Sequence, residues 1–226
     1  MLRTKGGVAI ATVVVLSAIA VAMYFHRRPG LPTQDSQPYQ DMTRVFYRGL
    51  AELEVGLLDN ARQDFTRATL IVPEEPAAWA NLGLALIRLG DVNAAAEPLA
   101  HAATLKPRDP AIAMLAGRME IARGQVDAGL AQLKRAAELD PQALRPRFAL
   151  AEEIERSGLT PESRREAERL YDDLLRVAPD NLAVLVERAR LAAADDAPRA
   201  REIVGRIEKL SDGWPTAATG WIPRPN

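Results

Sequence analysis

The 226-residue chain has no cysteine, which excludes disulfide bonds, thiolate metal sites and a lipoprotein anchor. It has only two histidines, His26 and His101, and neither belongs to a cluster of partner residues. We interpret His26 as an interfacial residue after an apolar run and His101 as a surface or packing residue of a helix. The sequence also has no phosphate-binding loop, metal-ligand spacing or nucleophile motif. We therefore expect no catalytic residue, no metal and no cofactor, and we expect that the protein is not an enzyme.

Aromatic residues are scarce, at 5% of the chain, and the formal net charge is only −1. A core that is poor in aromatics must be built from alanine and leucine, as stacked helices allow, and few stretches alternate as strands do. A balanced charge gives no electrostatic basis for binding nucleic acid, which would favour a basic face. We expect protein partners, with no nucleic acid and no small-molecule substrate.

What the sequence does contain is an internal repeat of 34 residues. The spacing is set by prolines, by two series of glycines, by alanines and by small polar residues: Pro73, Pro107 and Pro141; Gly56, Gly90 and Gly124; Gly49, Gly83 and Gly117; Ala68, Ala102 and Ala136; and Asp59, Asn93 and Asp127. Such a period is typical of stacked supersecondary units. Each unit reads as two short helices about a turn.

Each recurrent position has a physical role in such a unit. Gly90 and its equivalents can adopt the left-handed conformation that ends a helix, and Gly83 and its equivalents let two helices approach closely. Asp59, Asn93 and Asp127 are predicted to accept hydrogen bonds from the free N–H groups of the second helix. Pro76 and Pro110 suit a first helical turn, where the missing N–H is not needed.

This pattern resembles the tetratricopeptide repeat (TPR) family from about Met42 to Leu210. The residues that carry the resemblance are Trp79, Leu82, Gly83, Leu86, Gly90, Ala95, Leu99, Ala102 and Pro107. The resemblance implies an all-α solenoid of about five helix pairs. The fourth pair has four inserted residues before Pro179, within "GLTPESRREAERL", and the fifth pair lacks the glycine, as a capping repeat can.

The N-terminus predicts one transmembrane helix that precedes the repeats. Residues 7–25 form an apolar run of 19 residues, about 29 Å long as a helix, which matches a hydrocarbon core of about 30 Å. We expect a retained anchor over residues 1–28, although Ala20–Ala22 is an acceptable signal-peptidase site. A proline-rich linker (29–41), the repeats (42–210) and a tail (211–226) follow.

Localisation is predicted from the anchor. Positive residues flank both ends of the apolar run, so the positive-inside rule discriminates little. A signal-anchor with so short an N-terminal segment keeps that segment in the cytoplasm. We therefore expect a single-pass protein of the bacterial inner (cytoplasmic) membrane with its repeats in the periplasm.

The resemblance also implies a partner-binding groove, which in TPR proteins is lined by the first helix of each pair. Carried over residue by residue, the groove contains Phe46, Leu50, Ala80, Asn81, Leu84, Ile87, Met114, Arg118, Ile121, Arg145, Phe148, Glu152 and Glu155. Its early part is apolar and its later part charged, which suits an amphipathic or apolar segment, with Arg118 and Arg145 taking an acidic group. Of the carboxylate clamp that some members use, only Asn81 is present. Some of these apolar residues could instead be buried between repeats.

The tail holds Trp214 and Trp221 among prolines and glycines. These tryptophans either pack on the last repeat or anchor a partner.

Two functions remain open. One is an assembly factor that holds client polypeptides, similar in architecture to the bacterial envelope TPR proteins of cytochrome c maturation and to the ancillary TPR subunit near the secretion translocon. The other is a permanent accessory subunit of a larger membrane complex, for which the small-residue pairs Gly7/Ala11 and Ala18/Ala22 permit helix contact in the membrane.

Overall fold

The computed structural model describes residues 31–158 and 160–212, which form ten α-helices and no strand. In chain order, α1 to α10 are Gln37–Glu54, Leu58–Ile71, Pro76–Leu89, Ala96–Leu105, Pro110–Ala122, Val126–Leu139, Leu144–Arg156, Pro161–Val177, Leu182–Ala192 and Ala197–Ser211. None of the helices in these two ranges has the length and apolar character needed to cross a membrane. The predicted anchor at residues 7–25 and the two tail tryptophans lie outside the described residues.

The described residues divide into two compact units, with the boundary between Ala85 and Leu86. In the first unit, α1 packs against α2, and the core contains Met42, Val45, Ala68, Val72 and Ala78. Phe65 and Ala61 of α2 are fully buried in the same unit.

In the second unit the helices pack in sequence, with α5 against α6, α7 against α8 and α9 against α10. Neighbouring pairs also contact, α6 with α7 and α8 with α9, and α5 contacts α7 directly. The main core of this unit is built from small and aliphatic side chains around Tyr171. A smaller cluster of Leu185, Ala189 and Ile203 joins α9 to α10.

The first helix begins at Gln37, whereas the sequence placed a linker as far as residue 41. Pro38 lies in the first turn of α1, where a residue without an N–H costs no hydrogen bond. Because this stretch is polar and proline-rich, its composition indicated a linker rather than the start of a helix. Met42, at 3% exposure, is already a core residue.

The predicted helix caps at Asp59, Asn93 and Asp127 are wrong. Asp59 and Asp127 lie inside the first turns of α2 and α6, Asn93 lies before α4, and none of these three helices has a side-chain cap. Negative charges in a first turn still interact favourably with the helix dipole. Side-chain caps are made instead by Asp109, Thr160, Asn181 and Asp196, at helices α5, α8, α9 and α10.

The two glycine predictions are confirmed where the structure gives their geometry. Gly56, Gly90, Gly124 and Gly158 all have positive φ angles, between 81° and 109°, after the first helix of a pair. At the crossing of α5 and α6, a Cβ on Gly117 would lie 2.9 Å from the carbonyl oxygen of Gly129. Gly117 therefore permits an approach of the two backbones that a side chain would block.

The four-residue insertion in the fourth pair goes mainly into a helix. Helix α8 has 17 residues, while α2 and α6 have 14 each, so the helix takes three of the four. The fourth lies between Gly158 and the start of α8, where Thr160 and Ser163 form a capping box. In the fifth pair, α9 ends at the C-cap Ala193 in a right-handed conformation, as α5 and α7 do at Arg123 and Ser157, but no glycine with a positive φ angle follows it.

Candidate functional site

Two cavities lie side by side on helices of the second unit, and we call the residues that line them the α5–α7–α9 surface. The first cavity, of about 340 Å³, is lined by Arg118, Ile121, Ala122, Leu133, Ala149, Glu152, Glu153 and Arg156. The second, of about 350 Å³, is lined by Glu152, Glu155, Arg156, Glu187 and Arg190. Glu152 and Arg156 line both, so the two cavities adjoin at α7.

Helical spacing places these side chains on common faces. Arg118 and Ile121 are three residues apart on α5, and Glu152 and Glu155 are three apart on α7. Residues three or four apart are neighbours on a helix surface. Residues of α5 and α7 line the first cavity and residues of α7 and α9 line the second, so the first helices of three successive pairs contribute to one surface.

The floor of the first cavity is apolar and its rim is charged. Ile121, Leu133 and Ala149 supply the apolar part, and Leu133 and Ala149 are buried. At the rim, Arg156 donates to the buried Glu153 at 2.5 Å. A depression of this kind can accept an apolar side chain while polar groups around it fix orientation.

The second cavity is charged throughout. The Nη2 of Arg190 donates to Glu155 Oε2 at 2.8 Å, and its Nε donates to Glu187 Oε2 at the same distance. The guanidinium of Arg190 thus joins α9 to α7 through Glu155 and is held on its own helix by Glu187. This arrangement with Glu187 raises the pKa of Arg190 further, so its charge is fixed.

Glu155 is also held from beneath. The hydroxyl of the fully buried Tyr171 on α8 donates to Glu155 Oε2 at 2.8 Å. Burial, followed by the hydrogen bond to Glu155 and the nearby carboxylates, raises the pKa of Tyr171 far above its usual range. The tyrosine therefore remains a neutral hydrogen-bond donor that orients the carboxylate.

Glu152 lies in an unfavourable electrostatic position on the surface. Partial burial raises its pKa, and the charges of Glu187 and Glu155 add to that effect, although Arg118 and Arg156 oppose it. The folded structure therefore disfavours the charged form of this carboxylate.

Of the groove residues predicted in the second unit, Arg118, Ile121, Glu152 and Glu155 line the cavities. Met114, at 9% exposure, belongs to the core, since it packs among the buried residues of α6, α7 and α8. The other three predicted residues do not line the two cavities: Phe148 packs edge-to-face on Tyr171, Arg145 is exposed at the start of α7, and Ile87 is half-buried on α3.

In the first unit, Phe46 lines a separate cavity of about 220 Å³ with Tyr39, Met42, Thr43, Tyr47, Glu75 and Ala77. The remaining predicted residues behave differently from one another. Leu50 and Leu84 are half-buried, Ala80 is a core residue at 7% exposure, and Asn81 donates its side-chain amide to the carbonyl of Ala77 at 2.8 Å. The side chains of Ala80 and Met114 therefore serve helix packing, as the alternative reading of the sequence allowed.

Sequence reasoning missed Glu153, Arg156, Glu187 and Arg190. A signal was available for Arg190, because it stands 38 residues after Glu152, one repeat period plus the four inserted residues. Glu187 is related in the same way to the core position of Ala149. In the two ranges that the structure describes, no group of three or more histidines, aspartates and glutamates is arranged to hold a metal ion.

No protein-family model and no curated protein matches the chain. Several solved structures do. TTC0263, a thermophilic TPR protein of Thermus thermophilus, superposes with a TM-score of 0.64 at 20% identity, over 79% of this chain and 94% of that one. YrrB, a TPR protein with an unusual peptide-binding site, gives a TM-score of 0.54 at 13% identity, over 79% and 94%.

A K341M mutant of the Thermobaculum terrenum O-GlcNAc transferase gives a TM-score of 0.56 at 24% identity. That match covers 62% of this chain and only 27% of the enzyme. At these identities the likeness concerns the fold alone. Together with the ten described helices, it confirms the predicted TPR-like, all-helical architecture.

Proposed function

We propose that this protein is a non-enzymatic, membrane-tethered TPR scaffold that binds segments of other proteins through its α5–α7–α9 surface. The observation that carries the proposal is the pair of adjoining cavities, one with an apolar floor and one with charged walls, joined at Glu152. Apolar pockets with a few convergent polar groups are the usual form of a binding site. The peptide-binding site of YrrB supports a peptide ligand for a scaffold of this architecture.

The chemistry of the surface supports binding rather than catalysis. Its carboxylates and guanidiniums are engaged largely with one another, as in the pairs Arg156–Glu153 and Arg190–Glu155. A catalytic carboxylate would need a reacting group and a geometry that activates it. Residues held in such pairs instead position and orient whatever docks against them.

The tether and the cellular role extend the same proposal. The apolar run at residues 7–25 would anchor the protein in the inner membrane and place the repeats in the periplasm. A scaffold held there is well placed to take part in assembly or maturation of an envelope or membrane complex, holding client segments as they pass.

The second candidate is a permanent accessory subunit of such a complex. It is favoured by exposed apolar side chains of the first unit, namely Val55, Leu57 and Leu70, the last at 76% exposure. A fixed neighbouring subunit would cover such side chains.

The test is affinity purification of the tagged full chain from membranes in mild detergent, with quantitative mass spectrometry. One variant exchanges charges on the surface, Arg118→Glu with Glu152→Arg. The control exchanges exposed charges on α6, Lys134→Glu with Glu138→Lys, and both variants keep the net charge of the wild type.

The scaffold proposal predicts a varied, substoichiometric set of proteins that the surface variant loses and the α6 variant keeps. A single set in constant ratio that survives the surface variant would establish the accessory subunit instead. Thermal melting of both variants checks that each still folds.

A further inference from the structure

The charges of the α5–α7–α9 surface do not cancel locally. Its second cavity brings the carboxylates of Glu152, Glu155 and Glu187 together with two guanidiniums. One of these, Arg156, is already paired at 2.5 Å with Glu153, which lies outside that cavity. Arg190 pairs with Glu155 and Glu187 and not with Glu152, so the cavity holds one carboxylate more than its ion pairs compensate.

Glu155 has an unused acceptor that points to the same deficit. Its side chain is only 5% exposed, and Oε2 accepts from both Tyr171 and Arg190. Its other oxygen, Oε1, is buried without a hydrogen-bond partner among the described residues. A buried oxygen without a donor costs free energy, which a ligand with N–H groups would recover.

Glu152 and Arg118 are the remaining charged residues of the first cavity. In the part of the chain that the structure describes, neither takes part in an ion pair, whereas the other charged residues of the first cavity do. Glu152 stands where the apolar floor of the first cavity meets the acidic second cavity. A ligand that reaches Glu152 therefore contacts both environments at once.

We infer that the occupant of this surface is a peptide segment of another protein in which an apolar side chain is followed closely by an arginine or lysine. The apolar side chain lies on Ile121, Leu133 and Ala149. The basic side chain extends into the second cavity and pairs with Glu152, with its N–H groups toward Glu155. Charge complementarity selects this partner, because Glu152 has no ion-pair partner among the described residues and Glu155 holds an acceptor without a donor.

This inference rests on the proposed function and makes it more specific. It also differs from the sequence-based expectation that Arg118 would take an acidic group of the partner. The same apolar floor argues for a peptide rather than a free cation, because a free cation would leave the exposed part of Ile121 in contact with water.

The test is selection of random 12-residue peptides on the full chain in nanodiscs. Three proteins are compared: the wild type, Glu152→Gln and the control Glu138→Gln on the exposed side of α6. Glu152→Gln keeps the shape of the side chain and removes only its charge. We expect the wild type and the control to enrich arginine or lysine one or two positions from an apolar residue, and Glu152→Gln to lose that enrichment.

The best wild-type peptide is then measured by fluorescence anisotropy beside a version with citrulline in place of arginine. We expect about a tenfold or greater loss of affinity on the wild type, as for a hydrogen bond to a charged group, and little difference between the two peptides on Glu152→Gln. If lysine is enriched instead of arginine, the second peptide carries norleucine in place of that lysine.

Three results would overturn the inference: no basic enrichment, enrichment that persists in Glu152→Gln, or enrichment of acidic residues. A further outcome separates the two claims. If the wild type selects peptides that have no basic residue, and these peptides do not bind the Arg118→Glu/Glu152→Arg variant, the inference is overturned and the proposed function stands. If no peptide is selected and the same variant keeps all its cellular partners, both are overturned.

Discussion

The first and the fourth helix pairs contain the same aromatic contact in two different settings. Phe46 meets Phe65 edge-to-face at 5.7 Å between ring centroids, and Phe148 meets Tyr171 in the same way at 6.1 Å. Phe148 stands three repeat periods after Phe46, and Tyr171 stands three periods plus four inserted residues after Phe65. The packing of a helix pair is thus shared by two parts of the molecule that differ in almost every exposed residue.

The two aromatic contacts differ in the hydroxyl group of Tyr171 and in the residue that accepts its hydrogen bond. Tyr171 donates to Glu155, and the residue three periods before Glu155 is the buried, apolar Leu53. In the same register, Leu50 of the first pair corresponds to Glu152 of the fourth. The two pairs therefore share this aromatic contact, while Leu50 and Leu53 of the first pair are replaced by Glu152 and Glu155 in the fourth.

We expect the largest effect from substitutions that remove the aromatic contact in either pair. Phe65→Ala and Tyr171→Ala each leave a cavity at a fully buried site, and we expect each to lower the free energy of unfolding by about 3–5 kcal/mol. Denaturant unfolding of the full chain in detergent measures both. A loss below about 1 kcal/mol in either variant would mean that the two contacts are not equivalent.

Exchanging the two aromatic residues sharpens the comparison. Phe65→Tyr adds a hydroxyl where the ring tip already lies close to Gly49, and we expect a loss of about 1–3 kcal/mol for a buried, unsatisfied group. Tyr171→Phe removes the donor to Glu155 but leaves Arg190, so we expect a loss of about 1.5 kcal/mol. The same denaturant measurement applies, and a stabilising Phe65→Tyr would show that the first pair holds an acceptor.

The helix crossing differs between the pairs by one methyl group. Ala151, fully buried in the fourth pair, stands three periods after Gly49, where a Cβ would lie 3.0 Å from the ring of Phe65. Ala151→Gly removes a buried methyl and weakens α7, so we expect a loss of about 1–2 kcal/mol. The control is Ala131→Gly at an exposed site of α6, where the propensity cost of about 1 kcal/mol remains without the lost packing. Equal losses in the two variants would contradict the packing difference.

The smallest expected effect is a dependence of stability on pH at Glu152. Because its pKa is raised in the folded state, the folded protein favours the protonated form, and stability is lost as the pH rises through that pKa. Glu152→Gln should therefore be more stable than the wild type at pH 7, by less than about 1 kcal/mol for this partly exposed group. The advantage should disappear below about pH 4, near the ordinary pKa of glutamate.

The control for this dependence is Leu50→Gln, the equivalent change in the first pair, which removes no titrating group. The free energy of unfolding of the wild type, Glu152→Gln and Leu50→Gln is measured at several pH values. A difference between Glu152→Gln and wild type that is constant from pH 4 to 7 would contradict the account.

Much of the fold could be predicted because its strongest constraints act on single residues. Gly56, Gly90 and Gly124 all have a left-handed backbone conformation, which favours glycine, and their recurrence makes the 34-residue period visible in the sequence. The start of α1 could not be predicted, since Pro38 and its polar neighbours are as compatible with a loop as with a first turn.

The candidate site was only partly predictable for a similar reason. Arg118, Ile121 and Glu152 follow from the repeat register, but the ion pairs of Arg156 and Arg190 depend on how neighbouring helices meet. Met114 shows the same limit, since it was predicted in the groove. Its register position faces the groove in TPR proteins, whereas its side chain is buried in this chain. A register fixes where a residue lies on its helix and leaves its contacts to packing.

The central claim is that partners bind at the α5–α7–α9 surface, and photo-crosslinking in intact membranes tests it most directly. A photoreactive phenylalanine analogue is placed at Arg118 on this surface or at Lys134, an exposed residue of α6. We predict crosslinks to other proteins from position 118 that greatly exceed those from position 134. Equal crosslinking, or crosslinking from position 134 alone, would contradict the claim.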